Sequence, residues 1–356
     1  MVWIWPGCDS GGGGGSTGGK GLGGGSTATY LAYLDSIAAN LNIASISTSG
    51  TLTTVTGSPY LAGSQPVTLT ATLDGKFHYV VNSSSGNVNQ YAVATNGTLT
   101  QPVPPIATGA QPSAMAIDPT ERFVLVANKG PSTLSIYSIN STTGVLASVG
   151  SPITLNVTGP QTIAISGNFV FVASVNAIDV LIYNPSNGTF SFGAGGSIGS
   201  PLTANIVALY APPQATPVRL YALDSNSNTI LSYTVSNTGV LTLGAPTATG
   251  SQPVAMVPDS ANHFLFVANQ ASSNLSVFAV DGTTGALSAA ATPLVTTGTA
   301  PTSLAYDSVN NFLFVSASGD KQISTYAVTT TTGALAMKGT AFTVTNAPAA
   351  MAVAKP

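Results

Sequence analysis

The chain is periodic, and the period decides what it can become. A Gly-Xaa-Leu or Gly-Xaa-Phe element recurs at Gly50, Gly97, Gly144, Gly188, Gly239, Gly285 and Gly333, at steps of 47, 47, 44, 51, 46 and 48 residues. A second marker, an aromatic inside an alternating stretch, recurs at Tyr91, Tyr137, Tyr183, Tyr233, Phe278 and Tyr326, at steps of 46, 46, 50, 45 and 48. Two independent markers with one period define a tandem array, in which each unit buries its apolar face against its neighbours. Residues 28–356 hold seven such units.

Within a unit the polarity alternates with period two, and Gly, Asn and Ser punctuate it, which is the pattern of short strands. One strand is a bulky apolar run, at Tyr30–Leu34, Phe77–Val81, Phe123–Ala127, Phe169–Ala173, Arg219–Leu223, Phe264–Ala268 and Phe312–Ser316. A polar turn leads to the aromatic-bearing strand, and the Gly-Xaa-Leu turn to the next. A Thr-Gly-Xaa-Gln/Ala-Pro connection then leads to a strand of small residues, such as Ser113–Ile117. Four strands in about 47 residues is the pattern of a propeller blade. The expected fold is therefore all-β: a seven-bladed β-propeller with four antiparallel strands per blade.

The small-residue strand, with Ala116, Ala164, Ala305 and Ala352 at matched positions, belongs innermost, where blades converge. The array begins on the second strand of a blade and ends on an innermost strand, Ala349–Ala354. The C-terminal strand should thus complete the first blade, a three-plus-one closure that hides both sheet edges. In the fifth unit the innermost strand reads as Ala204–Tyr210, and Ala211–Pro217 as an insertion.

Only 5% of residues are charged, with eight Lys+Arg against eleven Asp+Glu and a formal net charge of −3. This excludes a basic nucleic-acid binder, which needs a Lys/Arg patch to displace counterions. The single cysteine, Cys8, excludes an internal disulfide framework. It follows Trp5-Pro6-Gly7 and precedes a Gly/Ser tract, a context similar to a bacterial lipoprotein processing site. The expectation is a lipid anchor at Cys8, a flexible tether to residue 27, and a place in the bacterial cell envelope or outside the cell.

The stretch Ala116-Ile117-Asp118-Pro119-Thr120-Glu121-Arg122-Phe123, with Phe264–Asn269 and Thr283-Thr284-Gly285-Ala286-Leu287, resembles the lactonase-type (YVTN-type) β-propellers of bacteria. That family includes 6-phosphogluconolactonases and many envelope proteins. The resemblance implies a site on the face carrying the Pro connections, with His after some of those prolines and a Glu on a neighbouring blade. The matching residues here are Val67, Ser113, Gln161, Val254, Thr302 and Ala349, none of them His. Glu121, His78 and His263 should lie on the opposite face.

Other motifs give little chemistry. Gly14–Lys20 has the spacing of a phosphate loop but lacks the Ser/Thr and the preceding strand. Gly195–Gly199 fits G-x-S-x-G in what reads as a connector, without the strand–turn–helix elbow. Asp224–Asn228 begins like a calcium loop, but Thr229 and Val235 stand where Gly and Glu belong. No metal site and no cofactor are expected. The aspartates Asp74, Asp118, Asp259 and Asp307 read as turn caps.

What remains on the site face is rich in amides: Gln65, Gln111, Gln161, Gln252, Asn82, Asn128 and Asn269, with Lys129 and Lys321. These are the candidate ligand-binding residues. They suit a small polar ligand, a glycan or a protein partner. The sequence thus points to a binding or scaffold module, with a lactone hydrolase of 6-phosphogluconolactonase type and a subunit of an extracellular polymer as alternatives.

Overall fold

The computed structural model describes residues 28–184, 186–187, 189–199, 204–213 and 215–356. Cys8, the Gly/Ser tract and the Gly14–Lys20 motif lie outside the described residues. Seven antiparallel sheets follow one another along the chain, and no helix occurs among the described residues. Blade 1 runs outward from the C-terminal strand Met351–Ala354 through Thr29–Asp35 and Asn40–Ile46. Tyr30 pairs with Ala354 and Tyr33 with Met351, so the last strand closes the ring in the expected three-plus-one manner.

Blades 2 to 7 have innermost strands Pro66–Ala71, Pro112–Ile117, Thr162–Ser166, Ile206–Tyr210, Pro253–Pro258 and Pro301–Asp307. Neighbouring innermost strands touch in order all the way round, including Met351–Ala354 against both Pro301–Asp307 and Pro66–Ala71. Small side chains permit this approach: Ala114, Ala208 and Ala255 are fully buried there. The second strands fill the space between blades. Phe171, Phe266 and Phe314 are fully buried on them. Burial of one such side chain stabilises by roughly 1.5–3 kcal/mol.

Two sets of contacts fasten each blade to the next. Third-strand tyrosines reach back to the preceding blade: the Tyr137 hydroxyl donates to the Ala107 carbonyl (2.8 Å) and that of Tyr326 to Thr296 (3.2 Å). On the face opposite the Pro connections, the Gly-Xaa-Leu turn lies directly against the previous second strand. Gly97 (φ +79°) and Gly144 (φ +70°) need a left-handed backbone, and any Cβ would collide with the rings of Tyr30 and Phe77. At blade 5 Arg219 takes the aromatic's place, stacks on Gly285 and donates to the Thr283 carbonyl.

The fourth strand departs from expectation. In blades 1, 2, 3 and 5 it is split into two short pieces, such as Leu146–Ser148 and Ile153–Thr154. Prolines between the pieces (Pro59, Pro102, Pro104, Pro105, Pro152 and Pro246) cannot donate to the ladder. In blade 4 it runs unbroken from Thr189 to Gly199. The G-x-S-x-G motif is therefore strand, not connector, and Ser197 pairs across with Asp179. In blade 5 the innermost strand is Ile206–Tyr210, two residues shorter than the sequence reading, and the next strand begins at Val218.

Candidate functional site

The site face is built where each chain segment leaves an outer strand, crosses to the next blade and enters the innermost strand. At that entry, in blades 2, 3, 5, 6 and 7, the register skips one residue between Pro66 and Thr68, Pro112 and Ala114, Ile206 and Ala208, Pro253 and Ala255, and Pro301 and Ser303. Each skip is a β-bulge, which re-aims the extra side chain. The bulged residues are Val67, Ser113, Val207, Val254 and Thr302. With Gln161 and Ala349 they make a ring of seven half-buried entry residues, one per blade, of which Val67, Val207, Val254 and Ala349 pack against the apolar clusters between blades. Val207 was not foreseen, because blade 5 has Ile206 where the other blades carry the signalling proline.

Two of these side chains clasp the next blade. The Ser113 hydroxyl donates to the Pro160 carbonyl (2.6 Å), and that of Thr302 to the Pro348 carbonyl (3.3 Å). Gln161 differs: its Nε2 is buried and has no hydrogen-bond partner. The ring carries no imidazole, carboxylate or guanidinium.

The predicted amides divide into two groups. Asn82, Asn128 and Asn269 end second strands and are fully buried. Asn128 Oδ1 accepts from Gly109 N (3.0 Å), and its Nδ2 donates to Thr133 (3.1 Å) and Ser135 (2.9 Å). Asn82 does the same with Gly63, Asn87 and Asn89. These side chains hold the incoming connection and are spent on it. That explains the glycine of each connection: a Cβ on Gly63 or Gly109 would come within 2.6 or 2.7 Å of the asparagine Cγ. In blade 6 the Gly250 amide turns to Ser276 instead (3.2 Å), and Asn269 Oδ1 is left unpaired.

Gln65, Gln111 and Gln252 are exposed, each with a φ near +55° (55°, 53° and 53°). Their carbonyls accept the N–H groups of Ser83, Lys129 and Gln270, so the strained backbone is held by the adjoining turn. Gln65 Oε1 accepts from Ser84 (2.8 Å). Lys129 and Lys321 are exposed in the turns of blades 3 and 7. The acids on this face serve the backbone: Asp179 accepts from Asn156 and Val157 N, and Asp224 from Asn205 and Asn226 N. The calcium-loop start is thus a turn cap. Among the described residues no three His, Cys, Asp or Glu side chains come together in a metal-binding group.

The remaining titratable groups sit on the opposite face. His78 lies within Phe77–Asn82, fully buried, and its ring nitrogens have no partner. Burial pushes its pKa down to about 4, so the imidazole is neutral. Glu121 accepts from Leu73 N, and burial raises its pKa. Exposed His263 precedes Phe264 and donates its backbone N–H to Asp259 (2.7 Å).

A 6-phosphogluconolactonase of Yersinia pestis is 26% identical over 250 residues, 68% of this chain and 74% of the relative. A periplasmic gluconolactonase of Pseudomonas aeruginosa superposes with a TM-score of 0.76 at 17% identity, covering 92% of this chain and 99% of that one. A Bacteroides fragilis protein proposed to be a 6-phosphogluconolactonase superposes with a TM-score of 0.79 at 16% identity, covering 94% and 99%. The model of the family described as lactonase, 7-bladed beta-propeller, matches residues 34–165 and 216–297, and the chain belongs to that family.

Proposed function

We propose that the chain binds a sugar-derived lactone, or a closely related polyhydroxylated ligand, at the channel mouth, and that it opens the lactone by hydrolysis. The bulged entry residue, repeated in five blades, carries this reading, because it stands at the position where the family resemblance puts the site. The relatives named as lactonases support the substrate class. Hydrolysis needs an attacking water and stabilisation of the oxyanion formed at the carbonyl. The ring supplies no proton shuttle, so transfer falls to water. General acid–base groups typically contribute 10²–10⁴-fold, and turnover should lag a His-bearing relative by roughly that factor.

The absence of titratable side chains from the ring favours a second reading, a binding or scaffold module for a glycan or protein partner. Acid release from 6-phosphogluconolactone and glucono-δ-lactone, measured above the spontaneous rate, separates the two. Acceleration that saturates supports hydrolysis. No acceleration of either, with saturable glycan or peptide binding, supports the module. Export and lipidation at Cys8 are part of this proposal, and the mass of the mature N-terminal peptide tests them.

A further inference from the structure

We infer that the junction of blades 3 and 4 holds an oxyanion, the carboxylate or phosphoryl end of the ligand, between the Lys129 ammonium and the Gln161 side-chain amide. The inference rests on the reading of the mouth as a ligand site and says which arc of it takes the negative charge.

Four observations converge on the segment Gly159-Pro160-Gln161. Lys129 lays its stem along Gly159, where a Cβ would meet Lys129 Cγ at 3.7 Å and Cε at 3.8 Å. The segment is held on both sides: Gly159 N donates to Ser132 Oγ (3.1 Å) and Gln161 N to the Ala173 carbonyl (2.7 Å). The Ser113 bond to the Pro160 carbonyl fixes the peptide that leads into Gln161. Gln161 Nε2 is then a donor shielded from water with nothing to donate to. A buried polar group without a partner costs roughly 1–3 kcal/mol, a cost that an arriving acceptor removes. Two donors flanking one fixed segment select an anionic or carbonyl oxygen.

The rest of the face offers little competition. Asp179 Oδ2 is engaged by two backbone N–H groups at 2.7 and 3.1 Å, while its buried Oδ1 has no partner and is the one carboxylate acceptor on blade 4 that an arriving anion must outcompete for the Gln161 amide. Asp35 and Asp224 are buried and each accepts at least two backbone N–H groups. Lys321 stands on blade 7 directly after Asp320, whose carboxylate accepts from Thr299 N (2.7 Å), so an acid adjoins it in the chain as none adjoins Lys129. Across the ring Val207 and Val254 pack against the apolar clusters between blades and offer no charge.

The test is a titration of the ¹⁵N-labelled chain with gluconate and, separately, inorganic phosphate. The Gln161 side-chain amide resonance should shift and saturate. Lys129→Ala should weaken the apparent affinity about tenfold and Gln161→Ala severalfold, while Lys321→Ala changes it less than twofold. A stronger response to phosphate than to gluconate assigns the site to a phosphoryl group, the reverse to a carboxylate. No shift with either anion, or an equal loss in Lys321→Ala, overturns the inference. Lactone turnover measured on the same samples is a separate readout: anion binding without turnover defeats hydrolysis alone, whereas turnover untouched by Lys129→Ala defeats the assignment alone.

Discussion

His78 sets the acid limit of this fold. Its pKa in the folded chain is about 4, below the ordinary 6.5, because the buried cation would lose its hydration. The neutral form therefore contributes stability that is complete above pH 6.5 and is lost as pH falls through 4. The loss is on the order of 3 kcal/mol, from the conversion of a pKa difference to free energy. Urea unfolding between pH 7 and 4 should show this slope, and His78→Leu should flatten it. Asp259 has the opposite sense, since burial raises its pKa and its ionised form is the strained one. Its Oδ1 accepts from His263 and Phe264 N, but buried Oδ2 has no partner. In blade 3 the matching Asp118 Oδ2 is satisfied by the Thr120 N–H and hydroxyl. Blade 6 has Ala261 there. Ala261→Thr should raise stability at pH 7 by about 1 kcal/mol, and by less at acid pH, as read from the Tm.

At the scale of elements, the connection between blades is the unit that repeats most strictly. Asn128→Ala would strand the Gly109 N–H and leave Thr133 and Ser135 without their donor, and should cost about 2 kcal/mol in denaturant unfolding. Ser132→Ala, which lies in the same turn, is expected to cost less. This connection also shows what a sequence can and cannot reveal. Its glycine and proline are visible as letters, and they located the blade junctions and the ring closure. Strand positions followed from period-two polarity, because alternation maps directly onto the two faces of a sheet. The role of the asparagines was not visible. An amide that faces a ligand and one that caps a backbone N–H have the same composition, and only burial separates Asn82 from Gln65. The bulge was hidden too, since a register shift leaves no mark in a single strand. Gln161 looked like the other glutamines, yet it follows its proline where Gln65, Gln111 and Gln252 precede theirs. The split outer strands coincide with prolines, but proline alone does not mark them, since Pro293 sits within the continuous strand Leu287–Thr296 of blade 6. The unbroken strand Thr189–Gly199 was obscured by its glycines.

For the molecule as a whole, closure is the decisive contact. Met351–Ala354 satisfies the inner edge of Thr29–Asp35 and also packs against Pro66–Ala71 and Pro301–Asp307. Removal of residues 349–356 should convert a single cooperative thermal transition into a broad one and promote self-association through the bared edge, both visible by calorimetry and light scattering. An unchanged Tm with a monomeric scattering profile would show that seven sheets hold without the clasp.

The same strand has a consequence for biosynthesis. Translation makes the opening blade first and completes it last. From the moment Thr29–Asp35 emerges until Ala354 leaves the ribosome, one flank of a very apolar segment waits without its partner. The nascent polypeptide therefore makes residues 36–350 with its first blade unfinished, and a mutation that slows arrival of the codons for Met351–Ala354 would lengthen that wait without altering the finished protein.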